Sequence, residues 1–344
     1  MDKSGYISQI RAELKQGLRH SKTTIESLAK EYGIANKNLV KEFTELAIVL
    51  NAREIAHNNS LSTYEKYLDI VALYQSQVNL SMRTSMSVLM QQYSTPAPIS
   101  FLASSYVGRS NRREALYLEP SAGNGLLTIA LPYHQTYVNE LDDVRLSNLK
   151  EQPFAKVSSW DALNPPVAYT GKFDGVLTNP PFGSLSEPVM FGNFRIKRLE
   201  HAMCLAALRC MKDSGKAAII IGGHTTWDQQ GRVTSGNNRI FLNYLYHYYK
   251  VEDIIPINGK KLYSRQGTSF NTRLILIDGA KGKPEGAAHL KNKLHSTVVN
   301  SYEELWERVG LDKPKIPSNA KTIVKLRAKA ILIKQKQIQH TETD

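Results

Sequence analysis

Cysteine is scarce in this chain of 344 residues. Cys204 and Cys210 both stand in an apolar run of helical character, which supports neither a disulfide framework nor a thiolate metal centre. His201 and His224 have no partner at metal-ligand spacing, so no metal site is expected. Long hydrophobic runs are lacking too. Stretches such as Ala217 to Ile221 fall far short of the ~20 apolar residues that cross a bilayer. The N-terminus carries Lys3, Arg11, Lys15 and Arg19 with no apolar core of signal-peptide length. The expectation is a protein of the reducing cytoplasm with no membrane partner. No GxxxxGK(S/T) phosphate loop occurs, which removes an ATPase engine, and there is no internal repeat. Acidic residues are in deficit, 31 against 44 Lys and Arg, and the net charge of +13 favours a polyanionic partner, nucleic acid first. A solvated basic surface with no dedicated partner is the alternative.

The apolar fraction of 42% suits a globular protein, and the length suits two or three units. Residues 1–90 read as a helical region without proline. Within it, Thr23 to Glu31, the turn residue Gly33, and Asn36 to Leu50 have helix-turn-helix spacing, although a plain helical pair gives the same pattern. Prolines 96 and 98 break the helical text after Gln91, and a new helix starts near Ile99. Residues 91–280 read as one domain, in which strand-like and helix-like segments alternate from Leu116 to Gly279, and this predicts an α/β, doubly wound, mostly parallel seven-stranded sheet of Rossmann-like type. Its last two strands, Val251 to Ile257 and Thr272 to Ile277, are expected to pair antiparallel at one edge. Residues 281–344 read as a linker and a basic tail, with no acid from Lys313 to Thr341.

Four of the strand-like stretches each end on one polar side chain: Ala115 to Leu118 on Glu119, Thr136 to Asn139 on Glu140, Ala155 to Trp160 on Asp161, and Phe173 to Thr178 on Asn179. In an open parallel sheet the ligand sits outside the carboxyl ends of the strands, so this series reads as a binding rim. The turn Glu119-Pro120-Ser121-Ala122-Gly123-Asn124-Gly125 has glycines that allow close backbone approach to a nucleotide-like ligand, and an apolar helix is expected from Leu126-Leu127. Thr128 stands where a dinucleotide fingerprint wants glycine, and an adenosyl group bearing a sulfonium fits the turn at least as well as a nicotinamide cofactor. Glu140 is placed to accept both hydroxyls of a ribose; a solvated strand end beside Asp142 and Asp143 is the alternative. Asn179-Pro180-Pro181-Phe182 is the most informative element. Two prolines stiffen the backbone, so the Asn179 side-chain oxygen and the Pro180 carbonyl can converge on one amino group, while Phe182 offers a face to a flipped base. Two rigid acceptors favour a pyramidal nitrogen whose lone pair points at an electrophile. A stiff turn after a buried strand is the structural alternative.

On these residues the chain resembles the S-adenosylmethionine-dependent amino-methyltransferases, most closely the N6-adenine DNA methyltransferases. Glu119 to Gly125 resembles their cofactor loop, Glu140 their ribose acid, Asp161 their third strand-end acid, and Asn179 to Phe182 their catalytic tetrapeptide. Gln92 to Pro98 is similar to their methionine-side motif, and its place ahead of the glycine loop is the gamma-class order. The stretch from about Thr23 to Gly279 also resembles the methyltransferase portion of methylase-helicase proteins of bacterial mobile elements. The resemblance implies S-adenosylmethionine as cofactor, DNA with a flipped adenine as substrate, and a helicase or other mobile-element protein as a further partner. It also implies roles: Tyr93, Ser94 and Thr95 at the methionine end, Glu119, Ser121, Gly123, Asn124 and Gly125 around the amino acid and ribose, and Asp161 with Ala162 at an adenine. A helix N-cap is the alternative for Asp161. Phe270 and Tyr263 are the candidates for a second aromatic against the base. No Pro-Cys nucleophile of the C5-cytosine kind is present. Only a short segment follows Gly279, so sequence preference is expected to be short or absent, with affinity from phosphate contacts by the tail, the N-terminal helices and residues 229–239. Methylation of an RNA base or a protein glutamine amide, and a non-catalytic DNA-binding module, are the competing expectations.

Overall fold

The computed structural model describes residues 1–80, 94–109, 114–234 and 236–311. Tyr93, the adjoining start of the proline break and the basic tail from Lys313 lie outside the described residues.

Helices α1 (Lys3–Lys15), α2 (Lys22–Glu31), α3 (Lys37–Ala56) and α4 (Thr63–Ser76) open the chain. Each starts where a short polar side chain takes a free amide: Asp2, Ser21, Asn36 and Ser62, the last closing a capping box with Glu65. The two helices expected around Gly33 are α2 and α3, and Gly33 takes the positive φ (+73°) of the turn between them. Fourteen of the 20 residues of α3 are buried, including every one from Val40 to Val49, so that stretch has no open face to lay into a DNA groove. The N-terminal helices are not a detached unit. Arg53 of α3 donates to the carbonyls of Leu131 (2.7 Å) and Thr128 (2.9 Å) and lies over the Tyr133 ring at 3.9 Å. One apolar cluster runs from Tyr6 through the sheet to Leu311.

Helix α5 (Ala97–Val107) follows, with Pro98 in its first turn. It packs so closely on the sheet that a Cβ at Gly175 would come within 2.2 Å of Val107. The sheet has the order β3-β2-β1-β4-β7-β9-β8, built from β1 (Tyr117–Glu119), β2 (Thr136–Asn139), β3 (Lys156–Ser158), β4 (Phe173–Thr178), β7 (Met211–Gly222), β8 (Tyr249–Ile257) and β9 (Thr272–Ala280). Every pair is parallel except those made by β9. The central strands are covered on both faces, and this is why residues 175–177 of β4 and 217–221 of β7 read as apolar text. The last two strands do pair antiparallel, but β9 inserts between β7 and β8, leaving β8 at the edge. Helices α6 (Asp143–Lys150), α7 (Leu199–Arg209) and α8 (Gly236–Tyr248) connect the strands.

Two expectations need correction, and one element was not foreseen. The apolar text after Gly125 forms one 3-10 turn, Leu126–Thr128, because the chain turns at once into Pro132. A hairpin of β5 (Ser184–Phe191) and β6 (Phe194–Arg198) stands between β4 and α7; its sequence signal was Gly192-Asn193 between two alternating runs. The linker expected from residue 281 does not extend through residues 299–311. Val299 bridges Ile257, and a helix at Tyr302–Val309 buries Tyr302, Leu305, Trp306 and Val309. That i, i+3, i+4, i+7 spacing marks an apolar stripe. Tyr67 donates to the Tyr302 carbonyl at 2.7 Å, and Arg308 grips Asp253 with bonds of 2.6 and 2.8 Å.

Candidate functional site

Strand order reverses between β1 and β4, and a cavity of about 390 Å³ opens at the carboxyl ends of β1, β2 and β4. This is the switch point at which open α/β sheets bind ligands. The cavity gathers residues far apart in sequence: Ser94 and Thr95, Glu119, Ser121, Gly123 and Asn124, Glu140, Ala162, and Asn179, Pro180, Pro181 and Phe182. Two expected residues are not on its wall. Asp161 is exposed and caps its own turn, accepting from the Leu163 amide (3.0 Å) and the Asn164 side chain (2.7 Å). Gly125 instead serves packing: it has φ +91°, and a Cβ there would meet the Phe154 ring at 3.1 Å.

The glycine loop is held from two sides. The Glu140 carboxylate accepts from the Gly123 amide at 2.7 Å and from the Leu141 and Asp142 amides at 2.9 Å, tying the loop to the end of β2. Asn139 braces the same corner through the carbonyls of Pro120 (3.0 Å) and Trp160 (2.8 Å). From below, Asn124 turns its side chain inward, donating to Glu42 (2.9 Å) and Glu45 (3.0 Å) and accepting from Asn148 (2.7 Å). Burial pushes the Glu42 carboxyl up, but Arg145 and Lys41 outweigh it and hold the group at about 2.

Glu119 differs. It is 2% exposed, and burial, with the Glu140 charge adding to it and Arg53 opposing, drives its carboxyl well above the usual range. Its Oε2 and the Ser121 Oγ are buried with no hydrogen-bond partner among the described residues. Above Gly123 a Cβ would meet nothing within 4 Å. Among the described residues, five acids, Glu45, Glu119, Glu140, Asp142 and Asp143, stand around this space with one cation, Arg145, which is bound to Glu42 at 2.9 Å. In a chain of net charge +13, the cavity is locally acidic and suits a cationic ligand.

On the opposite wall the Asn179 amide nitrogen donates to Thr95 Oγ1 at 2.9 Å, and the Thr95 carbonyl accepts from Gln266 at 3.4 Å. Pro180 is buried, Pro181 and Phe182 half-buried, and the Phe182 ring lies where a Cβ on Gly222 would be 3.1 Å away. Phe270 reaches the cavity mouth and is 63% exposed, whereas Tyr263 is buried with its hydroxyl bonded by Thr272 at 3.2 Å. Glu45, Leu141, Arg145 and Met203 also line the cavity and carried no signal of it in the sequence, since each belongs to an ordinary helix or strand end. Among the described residues no three His, Cys, Asp or Glu converge as a metal site, and no helix is long and apolar enough to cross a membrane.

Neither protein-family models nor the curated proteins give a match to this chain. Solved structures do. A Listeria monocytogenes protein assigned to the class I S-adenosylmethionine-dependent methyltransferases superimposes with TM-score 0.52 at 14% identity, covering 88% of this chain and 98% of that one. A type I restriction-modification methyltransferase subunit from Streptococcus thermophilus gives TM-score 0.46 at 13% identity over 84% of this chain and 78% of that one. The M protein of the type I restriction enzyme EcoKI gives 0.43 at 15% identity over 82% and 62%. The first of these defines the architecture: the chain has the Rossmann-like fold of the class I methyltransferases, with a helical N-terminal region.

Proposed function

We propose that the protein transfers a methyl group from S-adenosylmethionine to the N6 amino group of adenine in DNA. One observation carries the reading: the acid-lined pocket and the Asn179–Phe182 corner share a single cavity at the sheet's switch point. When bound, S-adenosylmethionine supplies an electrophilic methyl group on a sulfonium. The residues fit it. Glu119 Oε2 and Ser121 Oγ, both without partners among the described residues, would take the ammonium end, the open space above Gly123 would take the backbone of the ligand, and Glu140 would face the ribose. Leu141, 60% exposed on the cavity wall, and Ala162 would flank the cofactor's adenine.

At the reacting end, Thr95 orients the Asn179 amide, and the Asn179 side-chain oxygen and the Pro180 carbonyl would accept the two hydrogens of the target amine. Phe182 and Phe270 would hold the flipped base between them. Transfer in line needs positioning and charge complementarity rather than a covalent link to the protein, in keeping with the burial of both cysteines. The net charge of +13 and the position of Ser94-Thr95 ahead of the glycine loop support DNA as acceptor.

The deciding experiment supplies tritiated S-adenosylmethionine with duplex DNA, single-stranded DNA, RNA and protein acceptors side by side, then identifies the modified base by mass spectrometry. N6-methyladenine in DNA is expected. Label confined to RNA or protein would replace the acceptor, and binding of the cofactor with no transfer to any acceptor would leave a DNA-binding module.

A further inference from the structure

The stiffness of the tetrapeptide has two ends. Pro180 and Pro181 fix its entry, but Phe182 is followed by Gly183, the residue type with the widest backbone freedom. Both backbone groups of Gly183 are nevertheless held by the start of α7. Its carbonyl accepts from the Leu199 amide at 3.0 Å, and its own amide donates to Glu200 Oε2 at 3.0 Å. The second Glu200 oxygen, Oε1, accepts from Arg198 Nε at 2.9 Å, and Arg198 Nη1 reaches Ser184 Oγ at 3.3 Å. Glu200 is 6% exposed and lies off the cavity wall. A buried carboxylate that accepts a backbone amide makes a bond roughly twice as strong as a neutral one.

The chain between these two attachment points is the β5–β6 hairpin. Its tip is fixed as well: Phe191 packs on Tyr244 (6.1 Å between ring centroids), and Phe194 packs on Tyr244 (5.2 Å) and Tyr248 (6.2 Å). The insertion is thus closed at its base by Arg198, Ser184 and Glu200, and it cannot shift without pulling on Gly183.

We propose that Glu200 is a positioning residue for methyl transfer: its bond to the Gly183 amide fixes the exit of the tetrapeptide, and so the directions of the Pro180 carbonyl and the Phe182 ring, with Arg198 orienting Glu200. The proposal rests on the assignment of Asn179–Phe182 as the reacting corner. It separates geometry from ligand binding, because Glu200 touches neither cofactor nor base.

The test compares wild type, Glu200→Ala, Glu200→Gln and Arg198→Ala by three measurements: cofactor affinity by calorimetry, single-turnover transfer to an adenine-containing duplex, and hydrogen exchange at the Gly183 amide. In Glu200→Ala, the transfer rate is expected to fall about 10- to 100-fold with cofactor affinity unchanged, and the Gly183 amide to exchange about tenfold faster or more. Glu200→Gln, which keeps an acceptor oxygen without the charge, should recover about half of each loss on a logarithmic scale, and Arg198→Ala should fall between wild type and Glu200→Ala. Unchanged Gly183 exchange in Glu200→Ala would overturn the proposal, as would a rate loss that the glutamine does not rescue. If Glu200→Ala does not fold, the other two variants carry the same comparison. Should the wild type fail to methylate adenine, the exchange measurement still decides whether Glu200 holds Gly183, and the loss falls on the proposed reaction alone.

Discussion

Thr95 is the most informative position to perturb, because two roles for it predict different kinetics. Its hydroxyl accepts the Asn179 amide at 2.9 Å in a part-buried setting. A neutral bond of this kind is worth about 0.5–1.5 kcal/mol net. If Thr95 acts by orienting Asn179, Thr95→Val keeps the shape, removes the bond, and slows transfer by about 2- to 12-fold at one decade per 1.36 kcal/mol. Asn179→Ala removes an acceptor at the reacting amine itself and should cost on the order of 10²–10³ in rate, by analogy with deleting one preorganised group from an oxyanion hole. The double variant then separates the roles. A residue that works only through Asn179 has nothing left to orient once Asn179 is alanine, so Thr95→Val/Asn179→Ala should be no slower than Asn179→Ala alone. Single-turnover transfer from tritiated cofactor gives the rates, and calorimetry gives the cofactor affinity separately. Additive losses in the double variant, or a Thr95→Val protein with weaker cofactor binding and an unchanged rate, would refute the orienting role. The second result would make Thr95 a contact for the methionine end of the cofactor instead.

Other outcomes are equally open to measurement. Arg53→Met removes the charged bonds to the Leu131 and Thr128 carbonyls, the second of which keeps the Leu131 amide at 2.9 Å, so denaturant unfolding should show a loss of about 1.5–3 kcal/mol; a loss under about 0.5 kcal/mol would mean that α3 is not clamped to the sheet. Glu119 has a raised folded pKa, so its contribution to stability is full below the ordinary carboxylate value and is lost as pH rises through the folded one. A bound ammonium favours the ionised form, so cofactor affinity should rise with pH over that window with proton release seen in buffers of different ionisation enthalpy, and Glu119→Gln should remove both effects. Gly222→Ala places a Cβ 3.1 Å from the Phe182 ring and should tilt it, weakening capture of the substrate base several-fold. Phe182→Ala should do so more strongly, by the ~1–3 kcal/mol of one base stack; equal DNA affinity in both variants and wild type would exclude a stacking role.

Much of the fold was legible along the chain because its signals are local. Ser21, Asn36 and Ser62 announce helix starts, and the covered middles of β4 and β7, residues 175–177 and 217–221, read as apolar runs. The polar ends of the first strands give the ligand-binding rim, since a parallel sheet aligns its carboxyl ends by construction. Less legible was β9, whose text suits either edge or interior; its position between β7 and β8 is set by pairing partners 50 or more residues away in one direction. The helix at Tyr302–Val309 had its apolar stripe in plain view, but the charged residues 281–285 before it read as the start of a linker.

For the site, sequence alone determined which side chains could do chemistry: the run Asn179-Pro180-Pro181-Phe182, the glycine turn and the strand-end acids, because residue type and backbone stiffness are fixed by covalent structure. Only the folded chain decided which of them meet. Asp161 turned away to cap its own turn, Gly125 went to packing against Phe154, and Glu45 arrived from a helix that looked unrelated. Proximity across a core depends on how whole faces of helices pack, a property summed over many distant contacts. No single stretch of the sequence contains it.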